Sequence, residues 1–281
     1  MSGELPGDLE GVLTAHAACK QTRCNEARLY PAAAVAEPRA PGAVWSYEIA
    51  RKGAEVSFPK RGGVDLYGIA LRGDLALAGV ERGAETKKLA AWTAFRAPGA
   101  GVRIKANSNG ARIVLAAVTD GAPIGDAGKG DQETWDDRPA AIETVDLAAA
   151  RDLTWNDGAM HARLGFEGAD KRASFEILMA SIDAQIPQHT HDGSWEILAA
   201  LRADGTLRVA REGAADLAPV RLHDGAIVAI PKGARHSWEP DGTEPLIAVQ
   251  IYVPPGPEQR FKESAGAGPT TAPPPPPPAS R

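Results

Sequence analysis

The sequence predicts an all-β chain of sandwich or barrel type, built as two similar halves. Three observations carry this. Short apolar segments such as "WEILAAL" (195–201), "GTLRVAR" (205–211), "GAIVAIP" (225–231) and "LIAVQIYV" (246–253) alternate with Gly, Asp and Pro punctuation, the pattern of strands bounded by turns. The connections are short, "RADG" (202–205) and "PDG" (240–242) among them, and leave no room for crossover helices. Finally, 46–71 can be laid over 174–199: Ser46 falls on Ser174, Glu48 on Glu176, Pro59 on Pro187, Tyr67 on Trp195 and Ile69 on Ile197. Further on, Pro98 pairs with Pro231 and Arg103 with His236, and each half ends in an apolar run, "ARIVLAAV" and "PLIAVQIYV". Order and spacing held over such a length indicate a duplication.

Taken in chain order, residues 1–40 form an N-terminal extension. Helical patterning occurs there in "GDLEGVLTAHAACKQ", where Leu9, Val12 and Leu13 share one face. Cys19 and Cys24 in that segment read as two free thiols, with a small disulfide loop as the alternative in an oxidising compartment. Residues 41–120 are the first β half, and 121–145, rich in Gly, Asp and Pro, the linker. Residues 146–262 are the second β half. The stretch 263–281 ends in "PPPPPPASR" and predicts a disordered, solvated tail with its prolines in polyproline II.

Composition narrows the function classes. The 281 residues are 43% hydrophobic but only 5% aromatic, so the cores must be built mainly from Ala, Val, Leu and Ile. A formal net charge of -5 and a pI near 5.7 supply no basic footprint for nucleic acid. No apolar run approaches the ~18 residues that cross a bilayer. The start, "MSGELPGDLEG", lacks the basic and apolar regions of a signal peptide, which points to the cytoplasm.

The chemistry concentrates in "PQHTHDGSWE" (187–196) and "GAIVAIPKGARHSW" (225–238). Strand alternation places His189 and His191 on one face, with Thr190 on the other. Asp192-Gly193-Ser194 then turns the chain so that Glu196 returns a carboxylate. Downstream, a strand followed by a Pro231/Gly233 turn aims His236. Three neutral imidazoles and a carboxylate suit one divalent first-row metal: Fe, Mn, Co, Ni, Cu or Zn. By the same alternation Gln185, Trp238, Gln250 and Tyr252 are candidates for substrate contact. His161 and His223 have no partner at a recognisable spacing and read as structural. "PPGPEQRFK" (254–262) reads as an exit turn and edge segment, not a site.

These residues resemble the two motifs of the cupin superfamily, G-x5-H-x-H-x3,4-E-x6-G and G-x5-P-x-G-x2-H-x3-N. The resemblance makes His189, His191, Glu196 and His236 the metal ligands, with Gly225, Pro231 and Gly233 as turn scaffold. Asp183 stands where the first motif opens with Gly, Gly205 closes it two residues late, and Pro240 replaces the terminal Asn. The implied fold is two cupin-type double-sheet jelly-roll barrels in tandem, a bicupin. In the first half the matching positions hold Arg61, Gly63, Gly68 and Arg103, which cannot ligate a cation. Arg61 and Arg103 are either an anion pocket or solvated charges at the barrel mouth. The implied activity is that of a small-molecule metalloenzyme of dioxygenase or lyase type, working as a monomer (a pseudo-dimer) or a homodimer. A non-catalytic binding protein for sensing or storage is the alternative.

Overall fold

A computed structural model describes residues 27–30, 40–49, 51–81, 83–119, 141–168, 170–210 and 216–264. It divides the chain into two units, Met1–Asp146 and Leu147–Arg281. The expected N-terminal helix, Cys19 and Cys24, and the proline run lie outside the described residues.

In the first unit the described strands are β1 (Ala27–Tyr30), β2 (Gly42–Ile49), β3 (Glu55–Arg72), β4 (Leu75–Gly79), β5 (Thr86–Leu89), β6 (Thr93–Ala106), β7 (Ala111–Val118) and β8 (Glu143–Asp146). They form one antiparallel sheet in the order β1-β2-β7-β3-β6-β4-β5, with β8 added to β6. The run "ARIVLAAV" becomes β7, between β2 and β3 and buried along most of its length, as an apolar run with neighbours on both sides should be. β4 shows the alternation of a strand with one covered face: Leu75 and Leu77 are buried, Ala76 and Ala78 only partly. β5, at the sheet edge, carries Lys87 and Lys88, charges that discourage further strand addition.

β3 and β6 are long strands of 18 and 14 residues that pair with each other twice. Glu55 to Lys60 face Lys105 to Ala100; after a register shift, Asp65 to Ile69 face Pro98 to Ala94. The sheet therefore folds over through two continuous strands. β8 covers the end of the expected linker and the first residue expected in the second half, and belongs instead to this sheet. Arg96 fastens it: Nη1 donates to Glu143 Oε1 (2.6 Å), while Nε and Nη2 donate to buried Asp65 Oδ2 (3.0 and 2.6 Å). The core gathers Phe58, Leu66, Leu77, Phe95, Val102 and Leu115, among others.

The second unit contains β9 (Asp152–Trp155), β10 (Met160–Phe166), β11 (Ser174–Ala180), β12 (Ile186–His189), β13 (Trp195–Arg202), β14 (Asp204–Ala210), β15 (Leu217–His223), β16 (Ile227–Ile230), β17 (His236–Pro240), β18 (Leu246–Val253) and helix α1 (Gln259–Ser264). Two separate sheets form, β16-β13-β18-β11-β10-β9 and β12-β17-β14-β15. The chain is thus all-β, with a jelly roll in each half. Helix α1 replaces part of the expected exit turn and runs into the residues assigned to the tail. No helix among the described residues is long and apolar enough to cross a membrane.

The strand orders of the two units match. β1-β2-β7-β3-β6 corresponds to β10-β11-β18-β13-β16, and the far parts of β3 and β6 with β4 and β5 correspond to β12-β17-β14-β15. The registers correct the residue matching. The β3–β7 ladder shifts between Ala70 and Arg72, and the β13–β18 ladder between Ala200 and Arg202. Ala70 therefore lies on Ala200, where the sequence match puts it on Leu198.

The same two ladders place Leu66, which pairs with Ala117, on Glu196, which pairs with Tyr252. Continuing through the next hairpin, Leu77 falls on Leu207, and the strand opposite brings Val102 onto His236. Their own partners, Phe58 and His189, then coincide. An ungapped match cannot show this, because the connections between strands differ in length between the halves. Arg103, matched by sequence to His236, is exposed, and the inward residue is its buried neighbour Val102. The side chain of Arg61 lies outside the described residues.

Candidate metal centre

The second unit breaks its strands where the first runs through. His189 closes β12, His191 stands in the following loop, Glu196 is the second residue of β13, and His236 opens β17. His191 therefore reaches the site from a loop and not, as alternation implies, from a strand. Two features hold the broken ends together. Gly233 N donates to His191 O (2.9 Å), and Ala234 N donates to Pro231 O (3.0 Å). The second bond closes a turn whose third residue, Gly233, has φ of 75°, a conformation that favours glycine.

One ligand atom from each of His189, His191, Glu196 and His236 lies within 4.8 Å of the others. His189 Nδ1 lies 2.8 Å from Pro187 O and His236 Nδ1 2.9 Å from Ala234 O. A carbonyl only accepts, so both Nδ1 atoms carry a proton, and in the neutral rings both Nε2 atoms keep a lone pair. Glu196 Oε1 accepts from Gln250 Nε2 at 2.6 Å. Its Oε2 stands 3.1 Å from His191 Nε2 and 3.0 Å from His236 Nε2. These three atoms are buried, and none has a partner aligned for a hydrogen bond. Buried polar atoms left so are rare, and a cation among them would satisfy all three. The donor set of imidazole and carboxylate fits a first-row divalent ion.

The electrostatics agree with this. Burial alone would push the Glu196 carboxyl up, but the His191 and His236 imidazoles outweigh it and hold the group below the usual carboxylate range. His236 is opposed by burial and raised overall by Glu196. His189 is lowered by burial and by His236. Tyr252, edge-on to His191 at 4.9 Å, is pushed well up by burial and then by the charge of Glu196, so its hydroxyl stays protonated.

A cavity of about 130 Å³ adjoins the cluster. Its walls include Leu178, Leu198, Leu207, Trp238 and Leu246, and Trp155, Arg260 and Phe261 also line it. Phe261 of α1 stacks on Trp155 with ring centroids 4.9 Å apart.

No protein-family model and no curated protein matches the sequence. Solved structures do. A Trp-to-Phe variant of Bacillus subtilis oxalate decarboxylase matches with a TM-score of 0.62 and 12% identity, covering 81% of this chain and 72% of that one. The structure used to assign the Mn(II) centres of the same enzyme matches with a TM-score of 0.62 and 13% identity, covering 82% and 73%. At such identity the likeness speaks for the fold. The chain has a bicupin fold.

Of the residues expected to contact substrate, Trp238, Gln250 and Tyr252 line the cavity. Gln185 does not: it is exposed and precedes β12, because the register irregularity between Ile186 and His189 breaks the alternation that would place it inward. The segment 254–262, read from sequence as an exit turn, supplies Pro257, Arg260 and Phe261 to the cavity. Sequence reasoning also misses Glu176. Fully buried and opposite Gln250 in the ladder, its carboxyl is pushed well up by burial and then by Glu258. An acid inside the apolar strand "SFEILMA" is the available signal. His161 is structural, bonded to Asp152 and Gly158 O, and His223 lies against Asp224 O.

Proposed function

We propose that the second barrel holds one divalent transition metal on His189, His191, Glu196 and His236, and that the protein is a metal-dependent enzyme of lyase or dioxygenase type acting on a small molecule. The carrying observation is the convergence of buried ligand atoms that lack aligned hydrogen-bond partners. The Mn(II) centres of the structurally similar oxalate decarboxylase support manganese as the first ion to test. A metal so held would supply Lewis-acid or redox chemistry.

The chain's own residues prepare the site for it. The Pro187 and Ala234 carbonyls set the imidazole tautomers, Gln250 orients Glu196, and Tyr252 keeps a proton on Oη at the cavity wall. The apolar walls exclude water from the reacting space.

Elemental analysis of protein purified without a metal-affinity tag tests the centre, with one metal per chain expected. Carbon dioxide release and oxygen uptake on a panel of small acids then test the activity. Stoichiometric metal without turnover on any of them would favour the sensing or storage reading.

A further inference from the structure

We infer that the cavity beside the cluster takes a mainly apolar monocarboxylic acid, with the carboxylate toward the ligand cluster and Arg260. This rests on the metal-centre reading above. Three neutral imidazoles, one carboxylate and a divalent ion leave a net positive centre, which favours an anion. Arg260 is the one Lys or Arg among the described residues lining the cavity. Its Nη1 donates to Thr190 O at 3.4 Å, which puts the guanidinium beside the loop between His189 and His191.

The remaining wall has different chemistry. Leu178, Leu198, Leu207, Leu222, Trp238 and Leu246 offer no charged partner. A dianion long enough to reach past the cluster, such as adipate, would press its second carboxylate toward that wall, and burying an unpaired charge is strongly unfavourable. An apolar body gains there instead, at about 25 cal/mol for each Å² it removes from water. The volume, about 130 Å³, is close to that of the ~150 Å³ apolar cavity that accepts a benzene ring.

The test is calorimetric titration of manganese-loaded protein with 3-phenylpropionate, 3-phenylpropan-1-ol and adipate, with metal content measured separately. The acid should bind about tenfold tighter than either comparison ligand. Arg260→Gln should lose about tenfold for the acid, a charge-assisted contact, with metal content and alcohol binding unchanged. Adipate binding as tightly as 3-phenylpropionate, or an Arg260→Gln variant that binds the acid normally, overturns the substrate class while leaving the metal centre standing. Protein that takes up no metal yet binds the acid through Arg260 overturns the metal centre alone.

Discussion

In the first barrel Phe58, Leu66 and Val102 occupy the ladder positions that carry His189, Glu196 and His236 in the second. All three are buried and apolar. One barrel fills its interior with hydrocarbon; the other gathers titratable groups at the same height of the same fold. The backbone differs with them. β3 and β6 run unbroken through the first barrel, while the second interrupts the corresponding strands and uses the breaks to aim His191 and His236. Gly68 sharpens the contrast: a Cβ there would meet the Phe95 ring at 2.5 Å and Leu115 at 2.6 Å. By register Gly68 lies on Leu198, a wall of the second barrel's cavity, so the first barrel is packed solid where the second is hollow.

The largest expected effect comes from giving the second barrel the interior of the first. Glu196→Leu with His236→Val should reduce bound metal from one per chain to near zero by elemental analysis. Metal-free stability should stay level or rise by about 1–4 kcal/mol, as when a buried ion pair gives way to well-packed apolar groups. Retained metal would mean that the ligand set is wrong. In the first barrel, Phe58→Ala should cost about 3–5 kcal/mol in denaturant unfolding through the cavity it leaves. Metal content should not change, and a coupled loss of metal would deny the barrels their separate roles.

Gln250→Leu keeps all four ligands but removes the donor to Glu196 Oε1. Competition against a chelator should show metal affinity weaker by about 10–100-fold, the usual effect of removing a group that orients a ligand. Arg103→Ala should be the smallest change, within about 0.5 kcal/mol because the side chain is exposed. An accompanying loss of anion binding would revive the pocket considered for Arg61 and Arg103.

Much of this is legible in the sequence. Strand punctuation yields the fold class, and two short motifs, 187–196 and 225–238, contain the four residues that the fold gathers into the cluster, because each is a short-range pattern. Sequence reasoning fails where position depends on more than local alternation. A register irregularity displaces Gln185, and loops of unequal length upset the residue matching between halves. Arg260 and Phe261 escape notice because they reach the cavity through a helix whose stacking on Trp155 leaves no periodic trace.

The hydrogen bonds at His189 and His236 carry one last consequence. With their tautomers already set, neither imidazole must shed its Nδ1 proton to receive a cation at Nε2. Below the raised folded value of His236, a cation at Nε2 must also displace the proton that Glu196 favours there. That proton stabilises the second barrel below the ordinary histidine value of about 6.5, and the contribution disappears as pH rises through the higher folded value. In that range uptake of the ion is an exchange of one cation for another: its apparent affinity weakens on acidification, and the measured heat of binding varies with the ionisation enthalpy of the buffer that takes up the released proton.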